Sequence, residues 1–163
     1  MFHRYHESPL GRLLLAGDDA GLCLLHMDQD DPHPPVGGWQ PAGAQLDEVC
    51  RQLDEYFAGR RQRFELRLAA RGTPFQRAVW DALVAIPFGS TCSYAELARR
   101  IDRPKAIRAV GAANGANPIA VIVPCHRVIG SDGSLTGFAG GLSRKALLLQ
   151  LEGALPMQQG SLL

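Results

Sequence analysis

The chain has 163 residues, 46% hydrophobic and 20% charged, with a formal net charge of +1. That composition suits a globular protein of one or two small domains with an adequate core. No stretch reaches the roughly 18 apolar residues of a membrane span, and the N-terminus lacks a signal-peptide pattern.

Four cysteines (Cys23, Cys50, Cys92, Cys125) lie far apart with no CxxC pair, so a reduced, cytoplasmic protein is expected. The small net charge hides an asymmetry. Residues 1–70 carry 7 basic and 11 acidic side chains, net −4; residues 71–163 carry 10 and 5, net +5. A polyanionic partner would therefore meet the C-terminal part, where Arg99, Arg100, Arg103, Lys105 and Arg108 cluster.

Met1 to His6 and Arg12 to Met27 read as extended segments, with turns at Ser8-Pro9-Leu10-Gly11 and Asp18-Asp19-Ala20-Gly21. Together they predict a small antiparallel meander. Residues 28–43, rich in Pro, Gly and Asp, read as a loop. Leu46, Val49, Cys50, Leu53, Tyr56 and Phe57 fall at helical spacing over 45–58, and Gly59 supplies a stop. Phe64, Leu66 and Leu68 alternate with charged residues and suggest one more strand, with 69–72 as linker. His3, His6, Cys23 and His26 would have to converge from separate strands to hold a metal. We expect them instead at the surface and strand edges.

The period changes in the second half. Thr73-Pro74 predicts a helix start, with Phe75, Val79, Trp80, Leu83 and Val84 on one apolar face and a stop at Pro87-Phe88-Gly89. Ser93-Tyr94-Ala95-Glu96 has capping-box form and opens a short helix through Arg100. A second helix is expected over 105–113. Two short helices joined by a few residues read either as a helix-turn-helix or as part of a packed bundle. The small residues Ala109, Gly111, Ala112 and Ala113 suit close approach to a groove wall in the first case and helix packing in the second. The basic neighbours favour DNA. A closing helix over 143–152 is expected to pack through Leu147, Leu148 and Leu151.

Between these helices, Val121-Ile122-Val123 reads as a short buried strand or extended segment leading into Pro124-Cys125-His126-Arg127-Val128. A thiol becomes a good nucleophile as the thiolate, and cations lower its pKa. His126 and Arg127 are candidate sources of that field.

Pro124-Cys125-His126-Arg127-Val128 resembles the active-site motif of the O6-alkylguanine-DNA alkyltransferases, the methylated-DNA–protein-cysteine methyltransferases. The flanks extend the resemblance in that family's order: Arg108-Ala109-Val110-Gly111, Asn117-Pro118, Gly137-Phe138-Ala139-Gly140-Gly141 and Leu151-Glu152-Gly153. It is firm over residues 72–153 and looser before, through Ser8-Pro9-Leu10-Gly11 and Tyr56-Phe57.

The resemblance implies an α+β protein. A ribonuclease H-like N-terminal domain (1–70), a small antiparallel sheet with a helix, would precede a mainly helical, winged-helix-like domain (71–163) carrying the helix-turn-helix. The implied activity is irreversible, stoichiometric repair: an alkyl group passes from O6-alkylguanine, and from O4-alkylthymine, in duplex DNA to Cys125. A buried thiol cannot reach a stacked base, so the target nucleotide must be flipped out, at a cost of roughly a few kcal/mol. Catalytic roles fall on Cys125, His126 and Glu152 as a relay, although Glu152 near a helix C-terminus reads equally as an exposed carboxylate.

By the same resemblance Arg108 fills the space left by the flipped nucleotide, with Ala109, Gly111 and Ala112 beside it on the DNA-facing helix. Tyr94, Asn117, Val128, Phe138 and Ala139 serve the base pocket. The carbonyls of Cys125 and Val128 face the guanine amino group, and the Ala139 amide faces O6. Read by themselves, Arg108 is a phosphate contact, Tyr94 a half-buried core residue and Asn117-Pro118 a turn. Some relatives carry Tyr and Ser where this chain has Phe138 and Ala139, a departure that bears on alkyl-size range and inhibitor sensitivity. No cofactor or metal is implied; the expected partner is double-stranded DNA, met by a protein expected to be a monomer in solution and cooperative on DNA, nucleoid-associated in a bacterium. A non-catalytic lesion binder would lack Cys125. A sequence-reading regulator would need base-specific side chains where this helix offers Gly and Ala. A thiol hydrolase is the most distant alternative.

Overall fold

The structure, a computed structural model, describes residues 1–27, 34–138 and 141–155. The chain divides into two compact units, Met1–Arg71 and one that begins at Gly72.

The first unit is built on the expected meander: β1 (Phe2–Ser8), β2 (Gly11–Asp18) and β3 (Gly21–Met27), antiparallel in sequence order. Both hairpins are fixed by local side chains. Ser8 Oγ accepts from Leu10 N and donates to Gly11 O, and Asp18 Oδ1 accepts from Ala20 N. Gly21 is required at the second turn, because a Cβ there would lie 2.5 Å from Arg67 O. A fourth strand, β4 (Gln40–Pro41), pairs parallel with β1, within residues the sequence reads as loop. Two residues, one a proline, leave no periodicity to read.

α1 (Asp47–Phe57) buries Val49, Cys50, Leu53 and Tyr56 and gives way to Gly59 at φ +78°. The strand expected at Phe64 to Leu68 is instead an extended segment with one parallel bridge, Leu68 to Leu22. The buried Gln52 side chain takes both backbone groups of Glu65, so they are satisfied without a ladder.

In the second unit, α2 (Pro74–Val84) starts from a Thr73–Gln76 capping box. Val79, Trp80 and Leu83 are buried, but Val84 is 53% exposed and lies outside the apolar face assigned to it. α3 (Tyr94–Arg100) carries the Ser93–Glu96 capping box, and α4 (Ile107–Gly115) begins two residues later than expected. α3 and α4 pack together, and Trp80 Nε1 donates to Ala113 O at 2.8 Å, tying α2 to α4. β5 (Cys92–Ser93) pairs parallel with β6 (Val128–Ile129).

The segment Val121 to Val123 is a buried turn, not a strand. Val123 N bonds to Ile119 O and Ile122 N to Ala120 O, and Val121 sits at φ +73°, a conformation that a β-branched residue rarely adopts. In α5 (Leu142–Leu151) the buried leucines are Leu148 and Leu149, while Leu147 and Leu151 are half-buried. The buried stripe runs Lys145, Leu148, Leu149, Glu152, spaced i, i+3, i+4, i+7 with a charged residue at each end. Among the described residues no helix is long and apolar enough to cross a membrane.

Candidate active site

Cys125 opens a single 3-10 turn, Cys125–Arg127, directly after the Val121 turn and Pro124. The Asn117 side chain holds that turn. Its Oδ1 accepts from Ile119 N at 3.0 Å and its Nδ2 donates to Val123 O at 2.8 Å, so one amide joins the end of α4 to the approach to the cysteine. Cys125 itself is 7% exposed. Burial raises its thiol pKa, opposed by a hydrogen bond from Asn117 and by the Lys145 cation. The resting residue is therefore a neutral thiol that needs a base.

His126 and Glu152 are brought together at the end of α5. His126 is fully buried and Nε2 lies 2.8 Å from Glu152 Oε2. Burial lowers the imidazole pKa, the Glu152 carboxylate opposes this, and the Arg127 and Lys145 cations add to it. Glu152 also accepts from Arg127 Nε at 2.8 Å and Nη2 at 2.9 Å. An ionised carboxylate only accepts, so the neutral ring must carry its proton on Nε2. That leaves Nδ1 as a lone-pair acceptor, and it has no hydrogen-bond partner among the described residues. The exposed-carboxylate reading of Glu152 is overturned, since it is 3% exposed. The helix dipole disfavours it at the end of α5, and the two-pronged Arg127 contact offsets that cost.

The cation assignment also changes. Arg127 is buried, turned onto Glu152, with Nη1 donating to Ile86 O at 2.6 Å. His126 is neutral. The cation acting on the thiol is Lys145, which the sequence reading missed; its only signal was a lysine within the buried i, i+3, i+4, i+7 stripe. Fully buried, with its pKa lowered to about 8 by desolvation, Lys145 donates from Nζ to Val128 O and to Thr136 O, both at 2.5 Å.

Lys145 also links Cys125's surroundings to the other expected residues. Thr136 O accepts from the Tyr94 hydroxyl at 3.3 Å, and Thr136 Oγ1 donates back to it at 3.4 Å. Tyr94 is half-buried at the start of α3. Its ring lies 3.8 Å from where a Gly111 Cβ would stand, and its hydroxyl 3.0 Å from a Gly137 Cβ. Val128 is fully buried and Phe138 half-buried; Ala139 lies outside the described residues. The Cys125 carbonyl accepts from Val128 N, and the Val128 carbonyl is engaged by Lys145.

Arg108, Ala109 and Ala112 are exposed on α4 with Gly111 half-buried, and Arg99, Arg100, Arg103 and Lys105 are exposed nearby. The surface is thus cationic around a helix of small side chains.

Away from this site, His3 Nδ1 lies 3.2 Å from Gln40 O and His6 Nε2 lies 2.8 Å from Asp54. Cys23 is buried, against the expected surface position. Among the described residues no three His, Cys, Asp or Glu side chains are grouped to hold a metal ion. All four cysteines are free and buried.

Known proteins resemble this chain in sequence and fold. Residues 74–154 match the 6-O-methylguanine DNA methyltransferase DNA binding domain, and residues 1–70 match the ribonuclease-like domain of the same proteins. The methylated-DNA–protein-cysteine methyltransferase of Methanosarcina acetivorans is 49% identical over 94% of this chain and 99% of its own. That of Mycobacterium leprae is 50% identical over 93% of each. The crystal structure of Mycobacterium tuberculosis OGT in complex with DNA superposes with a TM-score of 0.88 at 47% identity, covering 94% of both chains. The chain belongs to the methylated-DNA–protein-cysteine methyltransferase family.

Proposed function

We propose that this protein repairs DNA by direct reversal, taking the alkyl group of O6-alkylguanine in duplex DNA onto Cys125 in a single turnover, with O4-alkylthymine as a second substrate. One observation carries the reading: in a chain of this family, a buried Cys125 precedes a His126 whose free Nδ1 is an acceptor and whose proton is fixed by Glu152.

In this mechanism the thiol proton passes to His126 Nδ1. Glu152 orients the ring and stabilises the imidazolium, and Arg127 holds the Glu152 carboxylate through two hydrogen bonds. The sulfur electron pair forms the S–C bond as the C–O6 bond breaks. The electrons return to the guanine, which leaves after taking up one proton. The thioether product is a poor leaving group, so the alkyl group stays on Cys125 after one turnover. The unit beginning at Gly72 performs DNA binding and chemistry, and residues 1–70 form the ribonuclease H-like domain.

Arg108 takes the place of the flipped nucleotide, with Ala109, Gly111 and Ala112 against the groove. Tyr94 assists flipping and donates to the base. Val128 and Phe138 line the base pocket, the family resemblance assigns Ala139 to base binding, and Asn117 holds the active-site turn. The protein acts as a monomer that can bind DNA cooperatively, in the cytoplasm and, in a bacterium, at the nucleoid. Intact-mass analysis after mixing with O6-methylguanine duplex tests the reading. One methyl on Cys125, none on Cys125→Ser, and retained DNA binding by that variant are expected. Repeated turnover, or label on Cys23, Cys50 or Cys92, would overturn it.

A further inference from the structure

Besides His126 Nδ1, a second buried side-chain atom of this site has no hydrogen-bond partner among the described residues: Asn114 Oδ1. Asn114 is 2% exposed, on α4 one turn before Asn117. Its Nδ2 faces the carbonyl of Cys125 at 3.5 Å. That contact determines which end of the amide is which, because the reverse orientation would set two oxygens against each other. A buried acceptor needs a donor, from the protein or from an ordered water, and the described residues supply none to Asn114 Oδ1.

Asn114 Oδ1 and His126 Nδ1 are both acceptors in the resting state, so neither can satisfy the other. Proton transfer changes this. When the Cys125 S–H bond breaks and the proton reaches Nδ1, that atom becomes a donor and the ring becomes cationic. A carbonyl dipole facing the ring would favour the new state over the old one. Interactions of that kind lower a barrier, whereas equal interaction with both states does not.

We propose that Asn114 is a positioning residue for alkyl transfer. Its amide fixes the Cys125 carbonyl at one end, and its oxygen accepts from the proton relay that charges His126 at the other, directly or through one water. The inference rests on Cys125 being the alkyl acceptor. The charged and titratable groups around the relay are Cys125, Glu152, Arg127 and Lys145. Glu152 favours the imidazolium, and Arg127 and Lys145 oppose it.

The test compares wild type, Asn114→Leu, Asn114→Ser and Asn114→Asp. Single-turnover methyl transfer from O6-methylguanine duplex is measured from pH 5.5 to 9, alongside thermal melting. Asn114→Leu should react about ten- to hundredfold more slowly, the scale of one hydrogen bond to a charged group. Its Tm should change little, because the lost contact to the Cys125 carbonyl is long and that carbonyl keeps its hydrogen bond from Val128 N. The acid limb of its rate profile, where His126 must be neutral, should move to lower pH. Asn114→Asp keeps an acceptor oxygen and should move that limb to higher pH. Wild-type rates in Asn114→Leu would overturn the inference, as would rate and Tm falling together in both the Leu and Ser variants. Failure of wild type to gain a methyl on Cys125 would defeat the functional reading instead.

Discussion

Glu152→Gln is the most informative single substitution, because it changes charge and hydrogen-bond polarity while conserving shape. Glu152 accepts from Arg127 Nε, Arg127 Nη2 and His126 Nε2. Whichever end of a glutamine amide replaces each oxygen, one N–H must face another N–H. The buried Arg127 charge also loses its counterion. Breaking a buried pair in this way costs about 3–5 kcal/mol. That is a large part of the roughly 5–15 kcal/mol that holds a domain folded.

If the amide turns its NH2 to His126, the ring must move its proton to Nδ1, and the acceptor needed for the thiol proton disappears. Loss of a positioned base slows reactions by about 100- to 10,000-fold. Urea unfolding and single-turnover methyl transfer, with the folded fraction checked by circular dichroism, read the two effects separately. An Arg127→Met/Glu152→Leu double variant sharpens the separation. Replacing both charges with apolar groups of similar volume should recover most of the stability, while His126 stays without its orienting acceptor and the rate stays low. Wild-type rate in folded Glu152→Gln, or full recovery of rate in the double variant, would refute the assignment of Glu152.

Two further outcomes are expected. Arg108→Ala should slow transfer from O6-methylguanine in duplex DNA far more than transfer from free O6-benzylguanine, which needs no flipping; Arg108→Lys should rescue only partly, since an ammonium cannot stack. Equal slowing of both substrates would remove the intercalation role. The lowered native pKa of buried His126 means that below about pH 6.5 the unfolded chain takes up a proton that the native protein refuses, so stability should fall as pH drops through that range. Urea unfolding between pH 7 and 5.5 should show this slope flattened in His126→Gln, and an unchanged slope would show that other groups cause it.

Much of the organisation is set locally and is therefore legible in the sequence. Hairpins at Ser8–Gly11 and Asp18–Gly21, the Thr73 and Ser93 capping boxes and the Gly59 stop each depend on contacts within a few residues. Cys125, His126, Arg108 and Asn117 could be singled out because the motif around them resembles a known family. Tertiary packing decided the rest, because it concerns groups that meet across long sequence separations. The α1 glutamine Gln52 satisfies Glu65 and removes the need for a strand there. A turn held by Asn117, with Val121 at positive φ, replaces the strand that β-branched residues suggested.

Burial of charge was the hardest feature to read. Lys145 and Glu152 occupy a helix stripe that hydropathy assigns to leucines, and they can be buried only because partners 9 to 26 residues away satisfy them: Val128 O and Thr136 O for the lysine, His126 and Arg127 for the carboxylate. Sequence alone placed a histidine and an arginine beside the cysteine. The fold turned the arginine onto Glu152, left the histidine neutral and brought the lysine toward the thiol, because a low-dielectric interior stabilises charges only where their partners converge.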